Sequence, residues 1–289
     1  MRTALLTAAA LVGFAANSLL CRMALRPRLV DAATFTAIRI VSGAVALFLI
    51  ARAAGPHDPP SSAAGSWGSA AALVAYAAAF SFAYLRIDAG IGALLLFGAV
   101  QVTMLGWALF RGERPGGTEW AGLLAALAGL VALVRPGLTA PDPLGAALML
   151  AAGVAWGAYS LRGRRAGAPL LETAANFARA APLALALELA APGPTSLSLR
   201  GALLATASGA LTSGVGYSLW YAALRGLTAT RAAIVQLSVP VLAAAGGVAV
   251  LGERPTPRLL GCAAVVLGGV ALAIAGRSSA RPQTPPGRC

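Results

Sequence analysis

Apolar residues run along this chain in long, nearly uncharged blocks. They neither alternate, as in a half-buried strand, nor form the narrow stripe of a surface helix. The blocks read Thr3–Cys21, Ala32–Ile50, Trp67–Leu85, Ile91–Phe110 and Trp120–Val134, then Leu144–Leu161, Thr173–Ala191, Leu203–Leu224, Ala232–Val250 and Leu259–Ala275. Most are close to the roughly 20 residues that a helix needs to cross a bilayer. In lipid each backbone N–H and C=O must be satisfied inside the segment, and an open-ended helix does this. The richness in Ala and Leu favours helix over the alternating ten-residue strands of a barrel. The fifth block is short, and the seventh carries Asn176, Arg179, Pro182 and Glu188. Between the blocks the connections are short, apart from a Pro/Ser/Gly-rich stretch from Ala53 to Gly65. The pattern predicts an all-α polytopic membrane protein of about ten transmembrane helices. The polar, Pro-rich tail 277–289 is expected to be disordered.

Composition sharpens this reading. Of 289 residues 58% are hydrophobic and 11% charged, where a soluble domain carries about 25% charged. Met1-Arg2 and the first apolar block resemble a signal peptide, but the repeat described below uses that block as a structural helix. The net charge of +13 comes entirely from Arg, with no Lys. These arginines cluster at block ends, where the positive-inside bias accounts for them without a nucleic-acid partner. A cytoplasmic N-terminus places twelve Arg inside and eight outside, with both termini cytoplasmic. His57 lies in a polar connection, and Cys21, Cys262 and Cys289 lack metal-ligand or redox spacing. No metal, cofactor or catalytic group is expected, and neither the paired Asp motifs nor the Ser–His pair of a membrane enzyme is present.

The chain repeats itself. Gly112-Glu113-Arg114-Pro115 recurs as Gly252-Glu253-Arg254-Pro255, an offset of 140 residues. Phe82-Ala83-Tyr84-Leu85-Arg86 is echoed by Tyr221-Ala222-Ala223-Leu224-Arg225, and Phe14, Asn17, Ser18 and Leu19 by Trp156, Tyr159, Ser160 and Leu161. The units read as 1–138 and 139–276. An odd number of helices per unit inverts the second copy, the plan of secondary transporters whose substrate site lies where the halves meet.

With its doubled Gly-Glu-Arg, Val239-Pro240 in the ninth block and Phe35-x-x-x-Arg39 in the second, the chain resembles the EamA family of the drug/metabolite transporter superfamily. The resemblance runs from Thr3 to Ala275. It implies a bacterial inner-membrane exporter of small metabolites such as amino acids or their derivatives, working as a monomer or homodimer. Gln101 stands where the first repeat would carry the family's proline, and Ala175 replaces the aromatic Phe35 opposite Arg39 and Arg179. Small multidrug resistance relatives carry a membrane-embedded Glu in their first helix. Here Asn17 and Tyr159 stand in comparable places, which disfavours proton-coupled drug efflux. A scaffold or sensor subunit without transport is the other alternative.

The candidate substrate-binding residues follow from helical spacing. Phe14, Asn17 and Ser18 share one face, as do Trp156, Tyr159 and Ser160. Tyr217, Trp220 and Tyr221 repeat the spacing, and Tyr76, Phe80 and Tyr84 run down the third block. Such groups suit an apolar pocket with a few hydrogen-bond handles; they also suit an interfacial aromatic belt or helix packing. Arg39, seven residues into its block, reads either as a partner for an anionic substrate group or as a side chain that snorkels to the head groups or bonds carbonyls in the bundle interior. Gln236, one turn before Pro240, is a further candidate. Glu113 and Glu253 sit beside an Arg at block ends and read as local ion pairs or helix caps. Gly122, Gly129, Gly246, Gly247, Gly261, Gly268 and Gly269 are expected to let helices approach closely.

Overall fold

The computed structural model of the chain describes residues 2–54, 65–111, 116–134, 140–163, 168–191, 195–224, 235–236 and 238–278. His57, Glu113, Arg114 and Cys289 lie outside them. The described residues form α1 (Arg2–Leu25), α2 (Ala32–Ala53), α3 (Trp67–Tyr84), α4 (Ala89–Phe110), α5 (Gly117–Val134), α6 (Pro143–Gly163) and α7 (Pro169–Ala190). The eighth apolar block becomes α8 (Leu199–Ala207), a π-helical segment (Ser208–Val215) and α9 (Gly216–Leu224). Helices α10 (Ser238–Leu251) and α11 (Pro257–Ser278) complete the bundle. The seventh block, weakest by sequence, is one helix running through Pro182.

Thr3–Leu25, Ala32–Ala53, Trp67–Tyr84 and Pro143–Gly163 are long and apolar enough to cross a membrane. Ala89–Met104, Trp120–Leu133, Ser238–Leu251 and Pro257–Gly269 are shorter apolar helices. The distribution of side chains is that of a protein dissolved in lipid. Leu5, Phe48, Leu49, Val131, Leu203, Leu211 and Leu260 are exposed, while Asn17, Ser18, Thr36, Arg39, Ser81, Asn176, Ser208, Thr212 and Ser213 are buried. In water such an apolar surface would drive aggregation. The chain is an all-α polytopic membrane protein.

The packing follows a simple scheme. Helix α2 lies against α7, α4 against α10, and α5 against α11. Helix α3 packs on α6 as α1 packs on α9; α4 packs on α6 as α1 packs on α10; and α3 meets α7 as the π segment meets α2. Each of these contacts has a counterpart when the first five apolar blocks are exchanged for the second five. Small residues make the closest crossings. Cβ atoms added at Gly129, Gly246 and Gly269 would come within 2.7 Å of a facing helix, and one at Gly247 would strike the Glu253 carboxylate. Gly261 and Gly268 differ from the expectation, because among the described residues no facing atom lies within 4 Å of where their Cβ atoms would be.

Charged groups gather at the end of the bundle where α1 finishes. Arg22 donates to the Tyr84 carbonyl at 2.6 Å and to Asp88 Oδ1 at 2.9 Å, and its Nε stands 3.7 Å from Glu253 Oε1. Glu253 in turn accepts from the Ala89 N–H at 2.9 Å, so a carboxylate between α10 and α11 caps the first turn of α4. Part of the expectation for Glu253 therefore needs correcting. It is a cap, but of a distant helix, and its cation is Arg22 instead of its neighbour Arg254. Burial lifts its carboxyl above the ordinary range against the pull of the Ala89 N–H, and Asp88 adds to the rise.

At the same end Asp31 caps α2. Its carboxylate accepts from the Thr34 N–H at 2.9 Å, the Thr34 hydroxyl at 2.7 Å and the Ser196 N–H at 3.1 Å. Ser198 N–H donates to Leu29 O at 2.8 Å, with Val30 bridged to Leu197, so the connection before α2 is tied to the one before α8. Burial pushes the Asp31 carboxyl up, but the bonds from Thr34 and Ser196 outweigh it and hold the group below its usual range. Asp31→Ala should therefore cost about 1–2 kcal/mol at neutral pH. A depressed pKa contributes stability above the unfolded value and loses it as pH falls through the folded one. The difference in melting temperature between wild type and Asp31→Ala should thus shrink on acidification. A difference that does not change with pH would contradict this account.

Candidate functional site

The halves of the bundle meet around one cavity. Helix α1 contributes Phe14, Asn17 and Ser18; α3 contributes Tyr76 and Phe80; α4 contributes Leu96 and Phe97. From the other side come Trp156 of α6, Thr212 and Ser213 of the π segment, Tyr217 of α9, and Gln236 just before α10. None of these residues carries a charge. The space that a water-sized sphere's centre can explore is about 20 Å³, room for one or two waters. In this conformation the cavity is too small for an organic solute.

Aromatic rings hold it shut. Phe80 and Tyr76 lie 5.5 Å apart, Tyr76 and Trp156 4.9 Å, Trp156 and Tyr217 5.1 Å, and Tyr217 and Phe14 5.9 Å, centroid to centroid. These are ordinary spacings for tilted and edge-to-face pairs, each contributing about 0.5–1.5 kcal/mol beyond area burial. The chain of rings crosses from α3 to α6, stays among the later helices at α9, and returns to α1.

The π segment places the polar groups. Gly209 and Gly214 sit where α2 passes, and a Cβ on Gly209 would strike Ser42 Oγ and the Arg39 carbonyl. The backbones touch there, and a wider turn fits the contact. The C-terminal Gly216 N–H reaches back five residues to Leu211 O. Thr212 and Ser213 hydroxyls donate to Ser208 O at 2.6 and 3.1 Å, the back-bonding by which Ser and Thr deform helices. Ser208 donates to Asn17 Oδ1 at 2.6 Å, with Thr212 Oγ1 3.0 Å from the same oxygen. Such π turns recur at functional positions.

Arg39 stands behind this wall. It is 2% exposed, so it does not snorkel. Its Nη2 donates to the Tyr76 hydroxyl at 3.0 Å and its Nε to Ser213 Oγ at 3.4 Å, while Cζ lies 5.1 and 5.0 Å from the Tyr76 and Phe80 centroids. Nη1 is buried without a hydrogen-bond partner among the described residues, and no ion pair there involves Arg39. A cation inside a transmembrane helix costs about 2.5–3.5 kcal/mol on insertion scales, of which two aromatic faces recover some. Arg179, its counterpart by sequence, is half-buried and bonds Ala175 O of its own helix at 3.2 Å.

The candidates from sequence thus divide. Phe14, Asn17, Ser18, Tyr76, Phe80, Trp156, Tyr217 and Gln236 line the cavity. Tyr159 lies one layer out, stacked on Trp156 at 5.5 Å, and Trp220 packs on Phe14 at 5.8 Å. Ser160 is half-buried and outside the lining, and Arg39 reaches the site through Tyr76 and Ser213. Sequence reading passed over Leu96, Phe97, Ser208, Thr212 and Ser213. The last three had a signal, since hydroxyls between glycines in Ser208-Gly-Ala-Leu-Thr-Ser-Gly-Val-Gly interrupt an apolar block. Among the described residues no cluster of His, Cys, Asp and Glu could hold a metal.

Comparison with known proteins bears on what the cavity is for. Residues 143–275 match the EamA-like transporter family. An uncharacterized protein of Pseudomonas aeruginosa is 53% identical over 276 residues, covering 96% of each chain. The chain belongs to the EamA-like transporter family. Its fold is shared by a protein of known crystal structure at a TM-score of 0.64 and 23% identity, covering 95% of this chain and 99% of that one. An EamA-like protein is a membrane transporter of the drug/metabolite type rather than an enzyme. Such a protein acts on a small molecule from within lipid.

Proposed function

We propose that this EamA-like protein exports a small organic metabolite across the bacterial inner membrane by alternating access, as two inverted five-helix repeats with both termini in the cytoplasm. The observation that carries this reading is the cavity's position. Its wall is divided between α1, α3 and α4 on one side and α6, the π segment and α9 on the other. Rocking one half against the other would part the aromatic contacts and open the site to one side at a time. The exchange-symmetric packing supports two repeats, and the offset of 140 residues between the Gly-Glu-Arg-Pro copies supports the same division. Both Gly-Glu-Arg-Pro connections follow corresponding helices of the two halves, and in an inverted pair they face opposite sides. Reporter fusions after Arg114 and after Arg254 should therefore give opposite signals. Matching signals would remove the inversion.

The deciding experiment compares the medium of cells that express the protein with that of cells that lack it, by untargeted mass spectrometry. The expected result is accumulation of a small solute outside expressing cells. No solute differing between the two would overturn the transport reading. No carboxylate lines the cavity, so movement is expected to run down the solute's own gradient. Transport in proteoliposomes that needs an imposed proton gradient, and stops on Glu253→Gln, would overturn that coupling.

A further inference from the structure

We infer that the solute is an amphipathic organic monoanion, a carboxylate on an apolar or aromatic body, and that Arg39 with Tyr76 selects it. The inference rests on the transport reading above and adds the substrate's charge.

Hydrogen-bond donors around the cavity outnumber their acceptors. Arg39 is buried, carries a fixed positive charge and has no carboxylate partner among the described residues. Its Nη1 has no acceptor. A buried charge ordinarily keeps a counter-charge, because an uncompensated one is costly. Arg39 also acts on the cavity wall. Its Nη2 donates to the Tyr76 oxygen, so the phenol's own hydrogen is left to donate elsewhere, and it makes no other hydrogen bond among the described residues. Asn17 spends its carbonyl oxygen on the Ser208 hydroxyl, with Thr212 Oγ1 beside it. Its amide nitrogen, a donor only, makes no bond among the described residues. Arg39, Tyr76 and Asn17 thus all have donors to spare around a site without a carboxylate. Such a site is complementary to an acceptor with negative charge.

The same geometry excludes the opposite class. An ammonium group could otherwise rest on aromatic faces. Those of Tyr76 and Phe80 already carry the Arg39 guanidinium, at 5.1 and 5.0 Å, and a second cation there would be repelled. The body of the molecule is set by the rest of the wall, where Trp156 and Tyr217 offer flat apolar faces. One guanidinium matches one negative charge, which favours a monocarboxylate over a phosphate or a dicarboxylate.

The test uses three probes of one shape and different charge: 3-phenylpropanoate, 3-phenylpropanamide and 3-phenylpropylamine. Their binding to the full-length protein in nanodiscs is measured by calorimetry. Because the closed cavity excludes them, binding must draw on the open form. Propanoate is expected to bind at least about tenfold more tightly than the amide or the amine, a factor equivalent to about 1.4 kcal/mol. Arg39→Gln should erase that preference, and Arg39→Lys should retain part of it. Tyr76→Phe, which removes one hydroxyl and leaves Arg39 Nη2 without its acceptor, should weaken propanoate binding several-fold and lower the melting temperature without unfolding the protein. If Arg39→Gln does not fold, the probe series on wild type and on Tyr76→Phe decides. Equal binding of the three, preference for the amine, or no binding of propanoate would each overturn the inference. A cationic or neutral solute found in the medium experiment would also overturn it and leave the transport reading standing. Absence of any solute there would sink transport itself.

Discussion

Trp156→Ala should reduce transport by an order of magnitude or more while the protein still folds and inserts. The Trp156 ring bridges the halves, 4.9 Å from Tyr76 of α3 and 5.1 Å from Tyr217 of α9, and it lines the cavity. Its removal takes away a recognition surface and part of the contact that closes the site. A loss of 1.4 kcal/mol in transition-state binding is already tenfold in rate, and aromatic contacts of this kind contribute about that much together. The cost to folding should be smaller than for a core residue, because Trp156 is only half-buried. Met149 is the control, on the same helix and 0% exposed. Its replacement by Ala should cost about 2–5 kcal/mol without touching the cavity lining. Transport rate and melting temperature are measured on both variants. If Trp156→Ala loses as much stability as Met149→Ala, the ring is packing and the assignment fails.

Gly209→Ala should abolish the folded protein, a larger effect than most cavity substitutions. The added methyl would strike Ser42 Oγ and the Arg39 carbonyl. The second of these is main chain and cannot rotate away. Overpacking typically costs about 1–3 kcal/mol where side chains can shift, and here two helix backbones would have to part. The same substitution at Gly261 or Gly268 meets nothing within 4 Å and should be neutral or slightly stabilising, since Ala exceeds Gly in helix propensity by about 1 kcal/mol. The readout is the monodisperse fraction of a fluorescent fusion on size exclusion. Normal behaviour of Gly209→Ala would mean that the crossing of α2 and the π segment is looser than described.

The contrast between these glycines shows what a sequence can convey about such a protein. The apolar blocks announce the helices because lipid demands long uncharged segments, and the spacing of Phe14, Asn17 and Ser18 already puts them on one face. Which side a face turns to is a different matter. Gly209 and Gly261 read alike along the chain, yet one touches a backbone and the other is open. Trp156 and Trp220 both look like pocket or belt residues, and only packing puts the first on the wall and the second behind Phe14. The pairing of Glu253 with α4 spans 164 residues, and no local pattern announces it. Along the chain Arg39 suits the head groups as well as the interior, and only its burial excludes the first.

The π segment makes the site depend on the length of the chain as well as on its composition. From Ser208 to Val215 the backbone takes a wider turn than an α-helix, so it carries one residue more per turn over nearly the same rotation. Removing a single residue there would let α-helical bonding close through the gap with α9 nearly in phase. Ser208, Thr212 and Ser213 would then lose their present relation to Asn17 and Arg39, although neither of those had been exchanged. A gap in an alignment of related chains here would therefore mark a rearranged polar wall as surely as an exchange of Ser208, Thr212 or Ser213.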